Sequence, residues 1–167
     1  GASGDYRARV ERGTILVLEG DSPVAATFGI RAGAKQVSIR SITDARAPKL
    51  GIVWEQGVTA ARFDLPAHAT VFAREKWEEA PVLAGFRVGS GAVLWLATPL
   101  GPRGYSRYPY LLQALTDLGL SLPFKSARLW AFFDSAYRAR VDLDYFAPRW
   151  RAAGISALHV AAWHYWE

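Results

Sequence analysis

The sequence contains no cysteine, which excludes a disulfide framework, thiolate metal sites and a cysteine nucleophile. The redox compartment stays undecided, since exported proteins can also lack cysteine; export or the periplasm is favoured slightly. Methionine is absent too, even at position 1. Translation starts with Met, and Gly1-Ala2-Ser3 reads as a cloning remnant, so the expectation is an excised piece of a longer chain. Long apolar runs are also missing. Gly91–Leu100 and Ala157–Trp163 fall far short of the roughly 20 residues that cross a bilayer, so no membrane-spanning helix is expected. Histidine occurs three times, and His68, His159 and His164 make no metal-ligand spacing. No metal and no cofactor is expected.

What is there is an ordinary globular balance. The 167 residues are 51% hydrophobic and 21% charged, enough for one domain or for one domain plus a piece of another. The net charge is +5. Its densest stretches, Arg7-Ala8-Arg9 and Arg138-Ala139-Arg140, are short and interrupted. A nucleic-acid binder concentrates positive charge on one face or helix, so this spread argues against nucleic acid.

Along the chain, Tyr6–Arg12 suits a helix closed by Gly13. Thr14–Leu18 is a continuous apolar run, the mark of a strand covered on both faces. Ser22-Pro23 then supplies a cap and a first-turn proline for a brief helix ending at Gly29. Between Gln36 and Phe72, short strand-like runs broken by Pro48, Gly51, Gly57 and Pro66 suggest a β-rich insertion. Pro81–Val88 and Ala92–Ala97 form a hairpin about Gly89-Ser90-Gly91. Its second arm is apolar throughout and reads as a central strand. Tyr110, Leu111, Ala114, Leu115 and Leu118 follow at helical spacing up to Gly119.

After a linker at Ser121–Ser126, the pattern starts again. Arg128–Phe133 is a strand, Asp142 caps a helix running to about Ala153, and Ile155–Ala162 is a second strand. Pro148 predicts a kink or a later helix start. Strand, crossover helix and strand imply a parallel pair. The fold class is therefore α/β: a mixed, partly parallel sheet with flanking helices and a β-rich insertion, plus a C-terminal βαβ piece. The division expected is 1–122 for the first domain, shortened at its N-terminus, and 123–167 for the start of a second.

Two resemblances follow from these residues. Gly13–Pro23 (GTILVLEGDSP), Gly89–Gly101 (GSGAVLWLATPLG) and the helix after them resemble the second half of a glutamine-amidotransferase-like, flavodoxin-like domain. Such domains often accompany carbohydrate-processing modules. Active members carry a cysteine nucleophile at the strand-to-helix elbow, with a downstream His and Glu. Here the elbow holds Glu19, Gly20, Asp21 and Ser22, and no histidine lies between Ala69 and Leu158. The resemblance thus implies a non-catalytic version. Leu129–Arg138 (LWAFFDSAYR) and Gly154–Val160 (GISALHV) resemble the first β-α-β of a glycoside-hydrolase (β/α)8 barrel. A barrel needs roughly 250 residues, so this stretch by itself is no working glycosidase.

Barrel function sits at the C-terminal ends of strands, and glycoside hydrolysis needs two carboxyl groups flanking the bond. On that resemblance Asp134 and Glu167 are the candidate catalytic pair. Tyr137, Arg138, Trp163, His164 and Tyr165 are candidate substrate-binding residues, since aromatic rings stack on sugar faces. Period-2 alternation separates Trp163 and Tyr165 from His164 and Trp166, so the cluster cannot all serve one site. The structural alternatives are a turn cap for Asp134, a solvated terminus for Glu167 and a packed aromatic cluster. His159, inside an apolar run, reads as a buried, hydrogen-bonded residue. Ser22 lacks the G-x-S-x-G frame of a hydrolase nucleophile, and Pro23 after it favours a helix cap. Tyr105, Arg107, Tyr108 and Tyr110 crowd one loop and could hold an anion or sugar, or dock that loop.

The leading expectation is a non-catalytic accessory or scaffold portion of a bacterial carbohydrate-active protein, a glycoside hydrolase. Its partners would be a polysaccharide or oligosaccharide and the remainder of the parent chain, with oligomerisation through apolar surface left on the βαβ piece. The alternative is a stand-alone module binding a glycan or an acidic partner. A third reading, a hydrolase using Ser22, requires an esterase activity that Ser22→Ala removes.

Overall fold

A computed structural model describes residues 3–102, 104–121, 130–134 and 142–161. The chain divides into two units, Gly1–Leu120 and Ser121–Glu167. The first contains α1 (Ser3–Glu11), β1 (Ile15–Glu19), α2 (Pro23–Thr27), β2 (Arg31–Asp44), β3 (Gly51–Asp64), β4 (Thr70–Glu75), β5 (Pro81–Val88), β6 (Gly91–Leu96), α3 (Gly104–Arg107) and α4 (Leu111–Asp117). Its six strands form one sheet in the order β1-β6-β5-β4-β2-β3. Only the β1–β6 pair is parallel and the others are antiparallel. This is the mixed, partly parallel α/β sheet that the sequence pattern implies. Among the described residues, no helix is long and apolar enough to cross a membrane.

The all-apolar arm of the hairpin is the heart of the unit. Every residue of β6 is buried, because strands flank it on both edges and the chain covers both faces. Gly89, at φ +58°, takes the left-handed conformation that the two-residue turn between β5 and β6 requires. That turn also finishes α1: Ser90 N donates to Glu11 O at 3.0 Å, satisfying a carbonyl that the helix end would leave unpaired. On β5, α4 closes over Gly85, where an added Cβ would lie 2.6 Å from Leu118 Cδ1.

Two expectations change here. The run read as a strand covered on both faces is covered incompletely: Val17 is 42% exposed, and Leu18 is the one residue of β1 that is buried. An apolar run reports low polarity, not how much chain packs over each face. The β-rich insertion, read as short runs, consists mainly of two strands of 14 residues each. Gly57 does not break β3, since the pairing resumes on both sides of it. The space its missing side chain leaves is taken by Arg40, whose Cγ would lie 3.0 Å from an added Cβ.

In the second unit β7 (Trp130–Asp134), α5 (Leu143–Ala152) and β8 (Ala157–Ala161) form the expected βαβ, with β7 and β8 parallel from Trp130↔Ala157 to Asp134↔Ala161. Asp142 caps α5 by accepting from Tyr145 N at 3.1 Å. Pro148 lies inside the helix and does not delay its start, because Asp142 nucleates the first turn upstream of it. Leu143 and Leu158 are exposed, and His159, expected to be buried, is exposed as well. A two-stranded pair with one helix has too little covering structure to bury both strand faces.

Candidate functional site

The elbow between β1 and α2 is the position at which an amidotransferase-like domain would carry its nucleophile. Ser22 is extended (φ −155°, ψ 153°) and its Oγ accepts from Ala25 N at 3.0 Å, with Pro23 opening the helix. This is an N-cap with proline in the first turn, as the sequence suggests. Gly20 adopts φ +59°; its N–H donates to Leu96 O at 2.8 Å, and its carbonyl accepts from Trp95 Nε1 at 3.0 Å. Glu19 Oε1 accepts from Leu100 N at 2.9 Å, tying the loop after β6 to the end of β1. Three of the four elbow residues thus have structural duties. No side-chain base hydrogen-bonds the Ser22 hydroxyl among the described residues.

The loop that follows β6 is docked by its own side chains. Tyr108 is 2% exposed and Tyr110 is 9% exposed. Tyr108 OH and Thr98 Oγ1 share a hydrogen bond of 3.0 Å, and Trp54 Nε1 donates to Arg107 O at 3.2 Å. The Arg107 guanidinium lies 5.1 Å from the centre of the Trp54 ring. Of the tyrosine-arginine cluster, therefore, Tyr108, Tyr110 and Arg107 hold the loop rather than present a sugar or anion site. An apolar groove of about 400 Å³ runs beside them, between Leu100, Pro102, Tyr108, Leu111 and Leu115.

Burial pushes the Tyr108 hydroxyl up to about 12, against smaller lowering effects from Thr98 and Arg107. The ordinary tyrosine value is 10, so below pH 10 the group is neutral in folded and unfolded chains alike and its contribution is complete. Between pH 10 and about 12 only the unfolded chain ionises. Stability should therefore fall with rising pH across that window, by about 2–3 kcal/mol. Urea midpoints measured from pH 9 to 12 should show this fall, and Tyr108→Phe should flatten it.

Of the glycosidase-type candidates, Asp134 ends β7, paired with Ala161 at the end of β8. Both strands thus terminate at one edge of the pair. Glu167, Tyr137, Arg138, Trp163, His164 and Tyr165 lie outside the described residues. No cluster of three or more potential metal ligands occurs among the described residues. His68 packs edge-on against Phe86, with centroids 4.8 Å apart. What sequence reasoning missed is a recess between β2, β3 and the turn after β4, lined by Arg40, Ser41, Val53, Trp54, Lys76 and Trp77. Its one signal in the sequence is the Lys76-Trp77 doublet after a strand.

No family model matches the chain, and no curated protein matches it. Among solved structures it is similar to the cold-adapted β-galactosidase from Rahnella sp. R3, at 16% identity and a TM-score of 0.50, over 74% of this chain and 22% of that one. A GH42 β-galactosidase from G. stearothermophilus aligns at 13% identity and a TM-score of 0.48, over 70% of this chain and 19% of that one. A cytoplasmic protein from Salmonella typhimurium LT2 aligns at 14% and 0.47, over 67% of this chain and 54% of that one. The chain thus spans about half or less of the length of each. At such identity the likeness to the Rahnella enzyme is one of fold.

Proposed function

We propose that the chain is a non-catalytic accessory portion of a carbohydrate-active protein: an amidotransferase-like α/β domain followed by the opening β-α-β of a glycoside-hydrolase-like barrel. The observation that carries the reading is the elbow. A nucleophile needs a free hydroxyl or thiol next to a base, whereas Ser22 Oγ caps α2 and Glu19 and Gly20 tie β1 to its neighbours. The fold likeness to about a fifth of a β-galactosidase, 22% of that chain, supports a setting inside a larger glycosidase-type protein. In this reading the parent chain continues beyond Glu167. Asp134 and Glu167 belong to its carboxylate set, and Tyr137, Arg138, Trp163, His164 and Tyr165 line its sugar site.

The test compares this chain with a longer one extended past Glu167, on soluble polysaccharides and on a p-nitrophenyl ester. Only the extended chain is expected to cleave sugar, and Asp134→Asn or Glu167→Gln should weaken that cleavage. Ser22→Ala should cost about 1 kcal/mol of stability through the lost cap and leave ester hydrolysis at the buffer background. Ester turnover by the present chain that vanishes in Ser22→Ala would overturn the non-catalytic reading. Failure of the extended chain to cleave any sugar would overturn the glycosidase setting.

A further inference from the structure

The recess between β2, β3 and the turn after β4 brings together six residues from three separate stretches of chain. Ser41 pairs with Val53 across β2 and β3, and Lys76 N donates to Ser41 O at 3.0 Å. The pairing register shifts between Ile39 and Ser41, and Arg40 between them is exposed while Ile39 and Ser41 on either side are buried. The cavity is about 290 Å³, near the lower end of the size of small-molecule sites, roughly 300–1,000 Å³.

Two features of its lining point to one ligand chemistry. First, Arg40 and Lys76 both line the recess, no acidic residue does, and neither cation has a carboxylate partner among the described residues. Second, Trp77 is 64% exposed, with Lys76 Nζ 5.8 Å from the centre of its ring.

The turn carrying that ring is fixed from beneath. Buried Glu75 accepts through Oε2 from Trp77 N at 2.9 Å and from Glu78 N at 2.6 Å. The ring is thus an exposed flat surface on a held backbone, which limits the ordering cost of binding.

We propose that this recess binds a saccharide carrying a carboxylate, a uronate. The C–H face of the sugar stacks on Trp77, and its carboxylate meets Lys76 and Arg40. A flat ring flanked by cations matches such a ring better than it matches a phosphate. Phosphate favours helix N-termini or nests of free amides, and the amides of the Lys76–Glu78 turn are already taken, by Ser41 O and by Glu75 Oε2. The inference stands apart from the accessory reading above, because it depends on no residue of the elbow or of the second unit.

The test is titration of the full 167-residue chain with trigalacturonic acid, followed by tryptophan fluorescence and calorimetry. The comparison probes are its neutral methyl ester and AMP. Saturable one-to-one binding is expected. Trp77→Ala, Lys76→Gln and Arg40→Gln should each weaken it about tenfold or more, and the methyl ester should bind at least as poorly as the cation variants do. Arg9→Gln, with the same loss of charge on exposed α1, should change nothing. No saturation at millimolar probe overturns the proposal, as does equal binding of the methyl ester, tighter binding of AMP or insensitivity to Trp77→Ala. Self-association of the chain that Trp77→Ala abolishes, in place of sugar binding, also overturns it, because Trp77 and Val53 would then be a protein interface. None of these outcomes bears on ester or polysaccharide cleavage, so the accessory reading fails or stands separately.

Discussion

Replacing Gly91 by alanine is expected to destabilise the first unit by about 3–5 kcal/mol, the upper range for a single substitution. An added Cβ would lie 2.1 Å from Val10 O and 2.3 Å from Thr14 O. Both are backbone atoms, so no rotamer change relieves the overlap. The crossing is also hydrogen-bonded: Ala92 N donates to Thr14 O at 3.2 Å, and Ser90 N to Glu11 O. Making room means lifting the end of α1 and the start of β1 away from the hairpin and breaking those bonds. Gly101→Ala is the control. Gly101 has φ +58° but nothing within 4 Å of an added Cβ, so it carries only backbone strain, about 1–2 kcal/mol. Urea denaturation followed by tryptophan fluorescence measures both. A Gly91→Ala loss no larger than that of Gly101→Ala would mean that the α1–β1 connection is free to move.

Trp95→Ala should cost a similar amount, about 3–5 kcal/mol. Its side chain is completely buried, its ring packs against Phe63 at 4.6 Å between centroids, and its indole N–H holds the Gly20 carbonyl. Trp95→Phe keeps part of the packing and strands that carbonyl, so about 1–3 kcal/mol is expected. Hydrogen exchange gives a local readout, because Gly20 N–H is bonded to Leu96 O. In Trp95→Phe this amide should exchange faster than global stability alone dictates. If it exchanges at the rate set by global unfolding, the indole does not hold the elbow.

Much of the fold was legible because several signals are local. Gly89-Ser90-Gly91 between two apolar arms specifies a hairpin, Ser22-Pro23 specifies a helix start, and Asp142 specifies another. The βαβ of the second unit follows from strand, cap, helix and glycine stop in order. What local patterns do not contain is lateral position. The run around Val17 reads as covered on both faces, yet Val17 is 42% exposed. Gly57 reads as a breaker until Arg40 is seen to occupy its space. The recess was invisible for the same reason, since Arg40, Val53 and Lys76 meet only through strand register. Of the glycosidase-type candidates, Asp134 stands at the end of β7, and its proposed companions lie outside the described residues.

The position of β1 has a consequence for how the chain acquires its structure. Of the six strands in this sheet it comes first in sequence, and among the described residues its sheet partner is the sixth. Emerging from a ribosome, it must wait while β2, β3, β4 and β5 are made, and Ile15 finds Ala92 only at the end. The antiparallel strands between them close shorter loops and can assemble earlier, since loop-closure entropy favours near neighbours. Until β6 arrives, the run Ile15–Leu18 lacks its β6 partner and is open to misassociation. Cell-free translation stopped shortly before β6 should therefore yield protease-sensitive chains, and synthesis through α4 should protect them.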